Sequence, residues 1–383
     1  STRVRSSAAS DVYKRQVQIM PNRKLSMNNV IMLSQKGYDL TWSDFDQFKY
    51  IETGSGLYIR VYEINEMYEL RIGGSWIDED PMYIYLALAD DLDTRIDIRD
   101  GGVTDFIGAD HSSVLLSKAI NEAILTENKP SKPDGLYHCA SFALLDQKEL
   151  SGTPTVDSSD HTQMVTVYGL ALHQGFGYSG GTFHEVSGSH IPVAITFEIV
   201  GGKYVLKEYW TPRDGSYYVQ DVRDKFPDEV EDEALDTQKY ILAQKQTCYD
   251  QGVRYGGVDT YSAVEHLFEV IESSPATSSR PADYIDAHSI EYRELMYYGD
   301  YTLQYIFSKF HLEGNQTGLR GQLMRIALDD LAPEAQLQLY AETGQAYFDE
   351  WRASAIRVSE QHDMDWIKAN QPAIWLFLQM IDE

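Results

Sequence analysis

Cysteine is scarce: the 383 residues include two, Cys139 and Cys248. They allow one intrachain disulfide at most and cannot build a cysteine-rich zinc site alone, so the redox compartment stays open. Cations are also few, with 32 Lys and Arg against 59 Asp and Glu and a net charge of −27. A surplus that large repels phosphate backbones and anionic lipid, which argues against nucleic acid and membrane surfaces as partners. Long apolar runs are missing as well. The longest, 373–381, is interrupted by Gln379 and falls short of the roughly 18–20 residues of a spanning helix. What is present is ordinary globular stock, 43% hydrophobic and 24% charged. A packed core is expected, and the length suits two or three domains of about 100–200 residues each.

Residues 6–16 read SSAASDVYKRQ. That string resembles the in-frame translation of a transposase-based sequencing adapter, codon for codon. Residues 1–16 are therefore expected to be a non-native scar, set apart from the fold. A signal peptide, membrane helices or a catalytic domain is then expected upstream.

The rest of the chain reads as a linker (17–39) and three modules: 40–108, 109–226 and 227–383. In the linker, scattered Met and Ile suggest one short helix ending at Gly37. Thr41-Trp42-Ser43-Asp44-Phe45 looks like a capped turn that inserts Trp42 and Phe45 into a core. Strand-like runs follow at 56–64, 67–72 and 82–87, with a short fourth at 95–98. In the first of them Leu57, Ile59, Val61 and Glu63 alternate with Tyr58, Arg60 and Tyr62, as on a half-exposed strand. Glycines at 54–56 and at Gly73-Gly74 punctuate like turns. The expected module is a small meander sheet.

The second module opens on a helix-spaced stretch, 112–126, and a turn-rich linker, 128–135. Four long strand candidates follow: 137–145, 164–174, 190–200 and 204–211. Gly201-Gly202 between the last two signals a two-residue hairpin. One helix followed by long antiparallel strands suggests a cystatin-like arrangement. From about Asp232 the chain reads as helical. Val264, Leu267, Phe268 and Ile271 fall on one face, with Asp259 as N-cap and Pro275 beyond the stop. The fold class is α+β.

The densest collection of reactive residues is His173, His184, Glu185 and His190 within a glycine-rich stretch between two strands. Three imidazoles on converging arms suit zinc. The spacing H-E-x-x-x-x-H, however, differs from the helical H-E-x-x-H of zinc hydrolases, and glycines at 180, 181 and 188 work against a helix. A polar hairpin loop, or a loop that contacts a ligand, is the plainer reading. Tyr209 and Trp210, with Tyr204, Tyr217 and Tyr218 nearby, offer rings for sugars or peptides, although packing is their commoner role.

Other chemistries lack their residues. Gly177-Tyr178-Ser179-Gly180-Gly181 leads to a strand, where a serine elbow needs a helix, and no Ser-x-x-Lys or phosphate-binding loop occurs. The acidic runs 78–80, 90–91 and 228–233 do not fit a calcium loop and read as solvated faces. Catalytic, metal and cofactor assignments are therefore none.

Leu40-Thr-Trp-Ser-Asp-Phe45, Gly54-Ser-Gly-Leu-Tyr-Ile59, Tyr68-Glu-Leu-Arg-Ile-Gly-Gly74 and Pro81-Met-Tyr-Ile84 carry a resemblance. So do Gly135-Leu-Tyr-His-Cys139, Val193-Ala-Ile-Thr-Phe-Glu198 and Lys207-Glu-Tyr-Trp-Thr-Pro-Arg-Asp-Gly215. The chain from about Leu25 to its end resembles the region C-terminal to the membrane peptidase in the bacterial beta-lactam-sensor-type (antirepressor) zinc metallopeptidase family. The resemblance implies that the family's membrane helices and H-E-x-x-H lie upstream, so no catalytic residue carries over. Family members that sense beta-lactams do so through an acylated serine, whose motif is missing here.

The expectation is a non-catalytic, extracytoplasmic sensor or ligand-binding region. It would take an unknown small molecule or peptide, or pack against its own upstream membrane domain. A secreted metal-dependent hydrolase using 173–190 and a structural module are the alternatives.

Overall fold

The computed structural model describes residues 23–381 except 54–57, 66, 76, 78, 90, 152–162, 180 and 276–277. The adapter-like residues 1–16, the glycines at 54–56, and Asp78, Asp90 and Gly180 thus lie outside the described residues. The chain forms two compact units, Ser1–Lys118 and Ala119–Glu383.

The first unit starts with α1 (Met27–Ser34), closed at its N-terminus by reciprocal hydrogen bonds between Ser26 and Asn29. The 3₁₀ turn Trp42–Phe45 is capped the same way by Thr41 and Asp44, and it buries both Trp42 and Phe45 as its sequence suggests. Five antiparallel strands form a meander in chain order. They are β1 (Ile51–Thr53), β2 (Tyr58–Glu63), β3 (Tyr68–Gly74), β4 (Tyr83–Leu88) and β5 (Asp91–Asp97). A short helix, α2 (Val103–Gly108), follows, and then α3 (Ser112–Glu127). Leu25, Val30, Trp42, Phe45, Leu70, Ile72, Ile84, Leu86 and Val103 share one core.

Two expectations for this unit need correction. Leu25 and Val30 are buried in that core, so the chain from residue 23 belongs to the module and is not a linker. Gly73 and Gly74 are paired strand residues, not a turn. The ring of Tyr83 on β4 lies over Gly73, occupying the space a side chain would need. The alternation expected of β2 is present, with the Arg60 and Tyr62 parity turned inward. The Arg60 guanidinium pairs with Asp46 at 2.6 Å and lies over the rings of Tyr50, Trp42 and Tyr58, so the charge is buried against π-faces.

The second unit contains a four-stranded antiparallel sheet in chain order. Its strands are β6 (Tyr137–Ser151), β7 (Gln163–Ser179), β8 (Thr182–Val200) and β9 (Lys203–Trp210). Gly201 and Gly202, at φ 59° and 81°, make the two-residue turn between β8 and β9. The segment 173–190 is not a loop: β7 and β8 stay paired out to Ser179 and Thr182. Its glycines serve the strands. At Gly175 the side chains of Ser187, Leu136 and His138 fill the place of a Cβ, and at Gly177 that of His184 does so.

Helices follow the sheet: α4 (Tyr218–Lys225), α5 (Glu231–Leu235), α6 (Ile241–Gly256), α7 (Thr260–Glu272), α8 (Pro281–Ala287) and α9 (Ser289–Tyr298). Beyond them run α10 (Asp300–Phe307), α11 (Leu319–Leu331), α12 (Gly344–Gln361), α13 (Met364–Asn370) and α14 (Pro372–Ile381). In α7 the expected face, Val264, Leu267, Phe268 and Ile271, is the buried one, and Asp259 caps the first turn by accepting from Ser262 N. Arg320 ties α11 to α7 through Glu265 and Glu272 at 2.9 and 2.7 Å.

A boundary at 226 between sheet and helices does not survive. Cys139, Leu172, Phe176 and Phe183 of the sheet share one core with Cys248, Tyr249 and Val253 of α6 and with the helices beyond. An amphipathic α6 buries its apolar stripe against both the sheet and α9, where Tyr249 meets Tyr297 and Tyr298, so the two expected modules fold as one. The fold class stands as α+β, a five-stranded and a four-stranded antiparallel sheet followed by a helical C-terminal region. Among the described residues no helix is long and apolar enough to cross a membrane.

Candidate functional site

Side chains alternate between the two faces of a strand, and this decides the histidine question. His190 pairs in register with Leu172, whereas His173 pairs with Ser189. His173 and His190 therefore project from opposite faces of the sheet. His184 sits exposed near the hairpin tip, opposite Gly177. The three imidazoles do not converge. Among the described residues no group of three or more His, Cys, Asp or Glu side chains is placed to hold a metal.

His173 and His190 each have a local partner instead. His173 is buried and stacks on His138 of β6, with His173 Nε2 3.1 Å from His138 Nδ1. His138 Nε2 meets Asp134 at 3.0 Å. Burial holds the His173 pKa below its ordinary value, and the charge of His138 adds to the effect. The Asp134-x-x-x-His138 pair is the element that sequence inspection missed.

On the other face, His190 Nε2 lies 2.8 Å from Gln244 Oε1 of α6, and burial again lowers the imidazole. Glu185 pairs with the neighbouring Lys245 at 2.5 Å. Two of the expected site residues thus act as clasps between the hairpin and α6. Cys139 and Cys248 are free and buried in the same core, where Cys139 Sγ donates to Gln174 O at 3.7 Å. The neighbouring Cys139, with burial, raises the Cys248 thiol, and neither position has the exposure of a reactive cysteine.

Tyr209 and Trp210 are neighbours on β9 and so face opposite sides of the sheet. Burial pushes the Tyr209 hydroxyl up to about 12. Trp210 packs edge-on against Phe226 and borders a cavity of about 380 Å³ with Arg213, Asp221, Asp224 and Lys225. The cations there are already paired, Arg213 with Asp221 at 2.6 Å and Lys225 with Glu208 at 3.1 Å. The six expected residues do not form one site.

A second cavity, of about 580 Å³, lies between α6, α9 and α10. Ala243, Gln246, Thr247, Asp250 and Arg254 line it from α6, at the i, i+3, i+4, i+7, i+11 spacing of one helical face. Tyr298 closes α9, and Asp300, Tyr301 and Gln304 come from the first turns of α10. Gly299 is the single residue between α9 and α10. At φ 51° and ψ −115° it makes a corner that a side chain resists. A Cβ there would also approach Gln246 to 3.2 Å, where that amide donates to Met296 O at 2.9 Å.

The polar groups converge in a definite pattern. Tyr301 Oη donates to Asp250 Oδ1 at 2.8 Å, and Arg254 Nε donates to the same oxygen at 3.1 Å while lying 3.0 Å from Oδ2. Burial pushes the Tyr301 hydroxyl up to about 12, and the bond to Asp250 contributes. Asp300 has no hydrogen-bond or ion-pair partner among the described residues. Partial desolvation raises its carboxyl, as does the like charge of Asp250. Convergent polar groups in a concave site, with a perturbed carboxylate among them, mark a candidate ligand pocket.

No protein family is matched by this chain, and no curated protein or solved structure matches it.

Proposed function

We propose that the chain is a ligand-binding region of the sensor type, without catalysis of its own, that takes a small polar molecule into the cavity between α6, α9 and α10. The observation that carries this reading is the convergence there of Asp250, Arg254, Asp300, Tyr301 and Gln304 around about 580 Å³. That volume lies within the ~300–1,000 Å³ range of small-molecule sites. The resemblance noted in the sequence supports an extracytoplasmic location beside a membrane peptidase. The separation of His173 from His190 supports binding over metal-dependent hydrolysis.

Thermal-shift screening of the full chain against amino acids, sugars, nucleosides and short peptides tests the proposal. Thr247→Trp, which fills the cavity from an exposed position of α6, serves as the control. At least one compound class should raise the melting temperature of the parent chain and leave the variant unmoved. No shift with any class, or shifts that persist in Thr247→Trp, would overturn the reading.

A further inference from the structure

We infer that the cavity between α6, α9 and α10 selects a primary ammonium group, with Asp300 as its carboxylate partner, on a hydroxylated ring of the amino-sugar class. The inference rests on the ligand-binding reading above and specifies its ligand.

Charge sets the first requirement. Asp250 is balanced by Arg254, at 3.0 Å, and held by the Tyr301 hydroxyl. Asp300 is exposed, has no ion-pair partner among the described residues, and lines the same cavity as Asp250. The lining therefore carries one uncompensated negative charge when both carboxylates are ionised. A single positive charge on the ligand removes the like-charge repulsion and completes the site. A divalent metal fits less well, because no set of three or more ligating side chains is gathered among the described residues.

The remaining lining sets the second requirement. Gln304 offers an amide to the same space, while the Thr247 hydroxyl, which donates to Ala243 O at 3.1 Å, and the Gln246 amide, which donates to Met296 O at 2.9 Å, keep their oxygens as acceptors for ligand hydroxyl groups. Tyr298 and Tyr301 add aromatic carbon, against which the apolar face of a sugar ring packs. An ammonium near these rings gains further from their quadrupoles. An aliphatic diamine would use the carboxylates and leave the Gln304 amide and the acceptor oxygens of Thr247 and Gln246 unanswered. A neutral sugar would do the reverse.

Isothermal titration of the full chain with D-glucosamine, D-glucose and N-acetyl-D-glucosamine, at about pH 6 so that the free amine is protonated, tests this. D-Glucosamine should bind at least about tenfold more tightly than either neutral sugar. Asp300→Asn should abolish the difference, and Asp300→Glu should keep part of it. The variant alters one charge in a net −27, so non-specific attraction of a cation would survive in Asp300→Asn and would count against the inference. Equal binding of all three sugars would overturn the ammonium assignment and leave the ligand-binding reading intact. If none of the sugars binds while another class shifts the melting temperature in a Thr247→Trp-sensitive way, the amino-sugar assignment fails alone. If nothing binds in either experiment, both fall.

Discussion

His190 Nε2 on β8 and Gln244 Oε1 on α6 lie 2.8 Å apart, and the nitrogen of the same amide donates to the carbonyls of Ser141 and Leu170 at 3.1 and 2.8 Å. An amide nitrogen committed to two carbonyls leaves only its oxygen for the imidazole, so His190 carries its proton on Nε2. One buried side chain of α6 thereby contacts β6, β7 and β8.

Truncation of that side chain should be costly. Gln244→Ala leaves an imidazole N–H short of its acceptor, and two carbonyls each lose a donor. The expected loss is about 1–3 kcal/mol. Chemical denaturation of the second unit, followed by hydrogen exchange in α6, measures it. A change below about 0.5 kcal/mol would show that the clasp contributes little.

Stability should fall as the pH drops below about 6.5. His173 and His190 both have pKa values lowered from an ordinary 6.5, chiefly by burial. The unfolded chain then binds protons at these positions before the folded chain does. Their contribution is complete above 6.5 and is lost progressively below it. The denaturant midpoint should decline from about pH 7.5 to 5.5, and His173→Gln with His190→Gln should flatten that slope. The window sits above the range in which paired carboxylates titrate. A slope unchanged by the double substitution would contradict the assignment.

Arg60 should matter more than a surface arginine. Its guanidinium is almost fully buried, 4.4 Å from the centre of the Tyr50 ring and paired with Asp46. Arg60→Met keeps much of the volume and removes the charge, at an expected cost of about 2 kcal/mol. Hydrogen exchange in β2 and β3 should quicken by roughly 30-fold. Rates equal to those of the parent chain would show that the ring contacts are incidental.

Gly299→Ala should destabilise the α9–α10 corner by about 1–3 kcal/mol and weaken ligand binding as well. Gly257→Ala is the comparison. Gly257 also has positive φ, 58°, yet it has open space around its missing Cβ and does not line the cavity. Melting temperatures and ligand affinities of both variants separate the two effects. If both lose stability and only Gly299→Ala loses binding, the corner shapes the site. Equal losses of binding would contradict that role.

Local signals were legible where a short stretch determines its own geometry. The Thr41–Asp44 cap, the Gly201-Gly202 turn and the apolar face of α7 each depend on neighbours in sequence. The hairpin at 173–190 was obscured because its glycines read as breakers, whereas Gly175 and Gly177 make room for His138, Ser187 and His184 across the strands. Arg60 was hidden by its charge, since burial among aromatic rings is a tertiary effect. The cavity was harder still. Gln246, Thr247, Asp250 and Arg254 form a polar stripe that looks like any solvated helix face until Gly299 turns α10 over it. The His173–His138 contact joins residues 35 apart, beyond what spacing alone can show.

Hydrogen–deuterium exchange of the full chain, with and without a compound that shifts its melting temperature, is the most direct test of a ligand site between α6, α9 and α10. Protection should rise in 243–254 and 298–304 and remain unchanged at the 179–182 hairpin tip and around Trp210. Protection confined to the hairpin or to β9, with α6 and α10 unaffected, would place the ligand elsewhere and contradict the account.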